Sequence, residues 1–166
     1  YLTQEGREVI LDFRGPGELL GEMAVVDGHP RSNTVSAIEE VEALTMSATA
    51  FRALVASSPT LANQLLRSMI RRFRDSDRKL IEFGASHTLG RVAARLVEMV
   101  ERFGTVTRDG HVIDLPITQD ELAGWTGASR EAVAKALQSL REHGLITTER
   151  RRFTVLDREG LERRYR

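Results

Sequence analysis

Apolar and polar positions change their spacing along this chain, and the change divides it. Up to about residue 46 the apolar residues fall in short runs broken by glycine. Arg7 to Phe13, Thr34 to Ile38 and Val41 to Met46 each read as a strand, with Gly15-Pro16-Gly17 as a turn and Glu39-Glu40 as a bend. Such a segment is too short to close a β core alone, so further strands that complete it are expected to precede Tyr1. Helical periodicity then takes over. Ser47 can cap a short helix over 48–56, and Pro59 suits the first turn of a longer one that Gly84 ends. In that longer helix Ala62, Leu66, Met69, Phe73, Ser76, Leu80 and Phe83 are spaced 4, 3, 4, 3, 4 and 3, a heptad seam. Its flanks carry Arg67, Arg71, Arg72, Arg74, Arg78 and Lys79. The seam is open to two readings, a core helix with a solvated basic face or a parallel coiled coil. The length favours a coiled-coil homodimer, because about 25 residues is long for a globular core helix. Ser76 interrupts the seam and invites a specific explanation.

Beyond a link at Ala85-Ser86-His87, Thr88 is placed to cap a helix over 89–102 whose apolar face is Val92, Leu96, Met99 and Val100. Gly104 stops it, and Arg108-Asp109-Gly110 predicts a hairpin between Val106-Thr107 and 112–115. Thr118-Gln119-Asp120-Glu121 is a capping box, so a helix carrying Leu122, Ala123 and Trp125 starts there. Gly127 can take the left-handed conformation of a tight helix–helix turn. Ser129 then caps a second helix with Val133, Ala136, Leu137 and Leu140 as its buried stripe, and Gly144 stops it. Leu145–Thr148 and Phe153–Leu156 flank the basic tip Glu149-Arg150-Arg151-Arg152. Two helices around a glycine turn, followed by a basic hairpin, make a winged helix-turn-helix between Thr118 and Thr154. Arg130, Glu131 and Lys135 lie opposite the buried stripe, near the start of the second helix. In docked helix-turn-helix proteins such positions reach base edges, where arginine and lysine pair with guanine and glutamate with cytosine. Thr118, Ser129, Arg150, Arg151 and Arg152 suit phosphate contacts, which position the duplex without specifying it. Arg150–Arg152 as plain solubilising charge is the bland alternative.

Composition narrows the field. The chain has 166 residues, 24 basic and 24 acidic, so any nucleic-acid site depends on local placement of charge rather than on a global excess. There is no cysteine, which excludes disulfides and thiolate metal sites and fits a cytoplasmic protein. No apolar run approaches the ~20 residues that span a bilayer, so no membrane role is expected. His29, His87, His111 and His143 lack metal-site spacing, and no serine–histidine–acid set exists, which argues against an enzyme.

One further constellation lies in the first segment. Gly17-Glu18-Leu19-Leu20-Gly21-Glu22-Met23-Ala24 is a glycine-bearing loop entering a short helix, and Pro30-Arg31-Ser32-Asn33-Thr34-Val35 comes after it. Helix-start N–H groups bind anions, Arg31 can grip a phosphate with two parallel bonds, and a carboxylate such as Glu22 can accept from a ribose hydroxyl. An internal Glu22–Arg31 ion pair in a plain turn accounts for the same residues equally well.

The Gly21–Ala24 and Pro30–Val35 stretches resemble the phosphate-binding cassette of cyclic-nucleotide-binding domains. Gly127-Ala128-Ser129-Arg130-Glu131-Ala132-Val133 resembles the recognition-helix signature of the cyclic-AMP receptor protein family of bacterial transcription regulators. The order of cassette, long helix and helix-turn-helix is the family's. The resemblance implies an α+β fold: a partial β-roll (the cyclic-nucleotide-binding jelly roll, over 1–58), a dimerisation helix (59–84) and a C-terminal winged helix-turn-helix (85–166). It implies that Glu22 binds the ribose 2′-hydroxyl and that Arg31, Ser32 and the Gly21 backbone bind the cyclic phosphate. Ser76 would meet the adenine amino group, Asp77 would approach the other protomer's ligand, and Arg72 would support either the phosphate or Glu22. Asp77 stands where a hydroxyl residue is familiar, and Lys135 where arginine is. The implied effector is cyclic AMP with no further cofactor. The implied partners are double-stranded DNA, a second copy of the chain and, as a candidate, RNA polymerase. A reading of another class is a ligand-independent dimeric DNA-binding protein whose β-roll only scaffolds protein contacts.

Overall fold

A computed structural model describes residues 9–113 and 115–165, which form two compact units. Residues 17–81 make one, and residues from 82 onward, joined by the described residues up to Pro16, make the other.

The unit of residues 17–81 is helical. It holds α1 (Glu22–Asp27), α2 (Ala48–Ser57) and the first six turns of α3 (Pro59–Ala85). Ser47 caps α2, its hydroxyl accepting from the Ala50 N–H at 3.2 Å. Ser58 caps α3 through Leu61 N–H at 3.3 Å, one residue before the proline. Among the described residues of this unit only Glu22 is buried. The heptad seam lies open: Leu66, Phe73 and Leu80 are 56%, 68% and 73% exposed. The helix also runs through Gly84 to Ala85, one residue past the expected stop.

The strands expected at 34–38 and 41–46 are not formed, and neither is the described part of the one at 7–13; Arg7 and Glu8 lie outside the described residues. A strand needs a neighbour for its N–H and C=O groups. Among the described residues these segments form no strand ladder, although the Ile10 N–H donates to the Gly124 carbonyl at 3.2 Å, and Val35, Val41, Leu44 and Met46 stand exposed. The chain is α+β as expected, but its sheet lies elsewhere.

That sheet belongs to the other unit, with antiparallel order β1-β2-β4-β3: β1 (Gly104–Thr107), β2 (Gly110–Ile113), β3 (Ile146–Glu149) and β4 (Arg152–Val155). The two-residue β1–β2 turn is Arg108-Asp109, with Gly110 already paired to Thr107. Residue 114, expected in the second strand, lies outside the described residues. The helices are α4 (Thr88–Phe103), α5 (Gln119–Thr126), α6 (Arg130–Glu142) and α7 (Arg158–Tyr165). The core forms where the α4 stripe Val92, Leu96 and Met99 meets Leu122, Val133, Leu137 and Leu140 and the sheet's Ile113, Ile146 and Val155, each of them essentially inaccessible. No pattern in the sequence announces α7. Asp157 starts it by accepting from Gly160 N–H at 2.8 Å, Leu161 buries its apolar face, and Arg158 reaches Glu101 of α4 at 2.5 Å.

Thr88 does not cap α4; it is the first helical residue, and His87 occupies the cap position without a side-chain bond. Arg91 braces this start instead, donating to the carbonyls of Ser86 at 2.6 Å and Thr126 at 2.9 Å. Arg95, 5% exposed, pairs with Glu82 at the end of α3 and with Glu98 at 2.5 Å, and lies 5.4 Å from the centre of the Trp125 ring. Phe13 packs edge-on against the same indole, 4.7 Å between centroids, while Arg102 donates to Asp12 at 2.7 Å and to the Phe13 carbonyl.

Gly127 takes φ 60°, and a Cβ there would collide with the Phe83 ring. Gly127→Ala should lower the unfolding free energy by about 1–3 kcal/mol in denaturant melts, since both strain and overlap oppose it. Adding Phe83→Ala should recover the overlap part only.

Candidate functional site

The helix-turn-helix is built by local chemistry at each end. Thr118 Oγ1 accepts from the Glu121 N–H at 3.1 Å, and the Glu121 carboxylate accepts in return from the Thr118 N–H at 2.6 Å and hydroxyl at 2.8 Å. The Thr118 hydroxyl thereby has both its donor and an acceptor site engaged within the cap. Gly127 closes α5 with its N–H on the Ala123 carbonyl. Ser129 opens α6, its hydroxyl accepting from Ala132 N–H at 3.2 Å. Each such cap is worth about 1 kcal/mol. With Val133, Ala136, Leu137 and Leu140 buried as expected, helical geometry puts Arg130, Glu131 and Lys135 on the solvent side, and all three are exposed.

Arg130 Nε lies 3.7 Å from Asp120 Oδ1 of α5, a pairing with no periodic signature in the sequence. The Glu131 carboxyl is held below the ordinary glutamate value, first by the backbone N–H of Glu131 and then by the Ser129 hydroxyl, with lesser help from the charges of Arg130 and Lys135. It therefore stays ionised, an acceptor, to lower pH than a free glutamate.

The hairpin after α6 is tight. Glu149 pairs with Arg152 across a two-residue turn of Arg150 and Arg151, and α6 supports the strand through Arg141, which donates to Thr148 Oγ1 at 2.8 Å. Arg151 has φ 57° and is the one non-glycine residue with positive φ among the described residues. Glycine or asparagine would sit there with less strain. An arginine in that conformation places a cation at the tip at a conformational cost. Arg152 lies 4.0 Å from Glu149, so its charge is partly answered within the hairpin.

The second constellation lies in residues 17–81. Gly21, at φ 78°, starts α1, and Arg31 Nη1 donates to its carbonyl. A side chain at Gly21 would overlap that guanidinium. Glu22 is buried, and its partner is Arg72 of α3 rather than Arg31; Arg72 also donates to the Leu19 carbonyl at 2.9 Å. The loop thus unites Gly21, Glu22, Arg31 and Arg72. Ser32 accepts from Asn33 Nδ2 at 3.0 Å beside them. Ser76 lies one helical turn beyond Arg72, and Asp77 next to it; both are exposed.

Comparison with known proteins completes the picture. Residues 1–58 match the model of the cyclic nucleotide-binding domain and residues 90–164 that of the Crp-like helix-turn-helix domain. A CRP-like cAMP-activated global transcriptional regulator of Mycobacterium tuberculosis is 36% identical over 162 residues, covering 98% of this chain and 72% of that protein. The chain belongs to the CRP family of transcription regulators. A cyclic AMP receptor protein of Thermus thermophilus is 33% identical over 85% of this chain and 62% of its own length. The crystal structure of a CRP/FNR-family transcriptional regulator from the same organism superposes with a TM-score of 0.58 at 26% identity, over 64% of this chain and 54% of that one. The match to the solved CRP/FNR structure thus spans about half of its length. No helix among the described residues is long and apolar enough to cross a membrane, and no cluster of metal-ligating side chains is found among them.

Because the folded-state value of Glu131 is depressed, its stabilising contribution is present above the unfolded glutamate value and is lost as pH falls through the folded one. An NMR titration should place its midpoint below that of a free glutamate. Ser129→Ala should move it back upward, and an unmoved midpoint would remove the hydroxyl as a cause.

Proposed function

We propose that this chain is a cyclic-nucleotide-responsive transcription regulator, cyclic AMP being the favoured effector, that binds palindromic DNA operators as a homodimer. The observation that carries this reading is the exposed row Arg130, Glu131 and Lys135 on a capped second helix, in a chain that also holds the Gly21–Glu22–Arg31 loop. Residues 1–58 would be the sensing domain, 59–84 the dimerisation helix and 85–166 the DNA reader. Arg130, Glu131 and Lys135 would read bases. Arg150 and Arg151 at the wing tip, with Arg152, Ser129 and the Thr118 end of α5, would meet phosphates.

In the ligand loop, Arg31, Ser32 and the Gly21 backbone would hold the cyclic phosphate and Glu22, oriented by Arg72, the ribose. Ser76 and Asp77 would receive the base along the dimer seam, for which the exposed Leu66, Phe73 and Leu80 are the apolar surface. Ligand bound there would shift the seam and the Ser86-His87 link until two recognition helices stand about one DNA turn apart, roughly 34 Å. A ligand moves that equilibrium only by its differential affinity for the two states. The chain would act in the cytoplasm, with RNA polymerase as a protein partner, and would make or break no covalent bond.

Calorimetry with cyclic AMP should show saturable binding that Arg31→Ala abolishes, and the ligand should tighten operator binding in a duplex titration. Binding to DNA that ignores cyclic AMP would favour the constitutive alternative. Arg130→Ala should cost about 1–3 kcal/mol at one base position, whereas Arg151→Ala should weaken all sequences alike and flatten the salt dependence. Loss of base preference in the Arg151 variant instead would reverse the roles given to helix and wing.

A further inference from the structure

Asp120 is an acidic residue set beside the reading helix, and its significance rests on the base-reading role proposed for Arg130. It occupies the first turn of α5, yet it takes no part in the cap, which Thr118 and Glu121 close between themselves. Its carboxylate reaches across the turn to α6, Oδ1 standing 3.7 Å from Arg130 Nε, with the two side chains 66% and 65% exposed. At that distance the pair is an exposed ion pair rather than a hydrogen bond, and its side matters: a carboxylate that approaches from the Nε side leaves the two terminal Nη groups for a fork onto guanine O6 and N7. Arginine also carries more rotamer freedom than most side chains, so a carboxylate that restricts it lowers the ordering cost of that fork. The same charge has a second effect. A helix start such as that of α5 attracts phosphate through its N–H groups, and a carboxylate in its first turn opposes that attraction.

We propose that Asp120 is a positioning residue for Arg130: it orients the guanidinium toward one base and opposes sequence-independent phosphate binding, so it raises discrimination while lowering general affinity for DNA. The test uses the full chain with cyclic AMP. The wild-type protein first selects a duplex from a randomised pool, and Arg130→Ala locates the base position it reads. Affinities are then measured for the selected duplex, for its three variants at that position, and for a random-sequence duplex. Asp120→Asn should lower discrimination at that position about two- to fivefold, the range of an exposed ion pair, and should tighten binding to the random duplex. Asp120→Glu, which keeps the charge, should retain part of the discrimination. In the Arg130→Ala background Asp120→Asn should leave discrimination unchanged.

Unaltered discrimination in Asp120→Asn, an equal loss in both backgrounds, or a gain that marks Asp120 as a competitor for Arg130 would each overturn the proposal while leaving the operator reading intact. A wild-type chain that selects no sequence at all overturns both.

Discussion

Arg95 carries a charge into the interior of the DNA-reading unit, and that unit is arranged around how the charge is met. A guanidinium out of water costs several kcal/mol unless its donors are answered. Here Glu82, from the last turn of α3, and Glu98, one turn along α4, answer it, and the Trp125 indole of α5 lies at its side. These partners come from three helices, so satisfying one side chain fixes α4 against both neighbours. The ion pair with Glu82 ties α4 to the end of α3, the cation–π contact with Trp125 ties it to α5, and Trp125 in turn receives Phe13 from far along the chain.

Glu22 presents the same problem in mirror image. It is an acid buried in a unit that buries nothing else among its described residues, and Arg72 answers it. Burying the pair gains little stability of its own, but breaking it is costly, since one partner alone would be a stranded charge. Such a pair is better suited to holding geometry than to holding a fold together. It keeps the Glu22 carboxylate fixed beside the loop in which Arg31 donates to the Gly21 carbonyl.

How much of the structure is legible in the sequence depends on the range of the forces involved. The capping box at Thr118, the left-handed Gly127, the Ser129 cap and the buried stripe of α6 are all readable, because each is decided within one or two turns of helix. The first three strands are misread: β pattern alone does not supply a partner, and Val35 and Leu44 remain exposed without one. The expected α4 cap is off by one residue because Thr88 looks like a cap, whereas the bracing comes from Arg91 and a carbonyl of Thr126, 35 residues away. Arg95, the Phe13–Trp125 contact, α7 and the Asp120–Arg130 pair lack any local signature. In the candidate site, the residue types and their faces are readable; the choice of Arg72 over Arg31 as the partner of Glu22 is not.

A net charge of zero looks ill suited to a protein that meets a polyanion, yet it is consistent with the distribution of the charges. Long-range steering scales with the summed field, and this chain has little of it to offer. Recognition then depends on contacts within about a Debye length, ~10 Å at 0.1 M salt, where single placements matter. Arg151 is held at the hairpin tip in a conformation few arginines adopt, while Asp120 of α5 stands beside Arg130 and, on α6, Glu131 stands beside both Arg130 and Lys135. A uniformly basic face would attract any phosphate backbone equally well. On the proposed reading, interleaving acids with bases weakens that general attraction and raises the share left to specific contacts, which depend on the orientation of each side chain. For a regulator that must pick one site among many similar ones, the ratio between the two matters more than either strength alone.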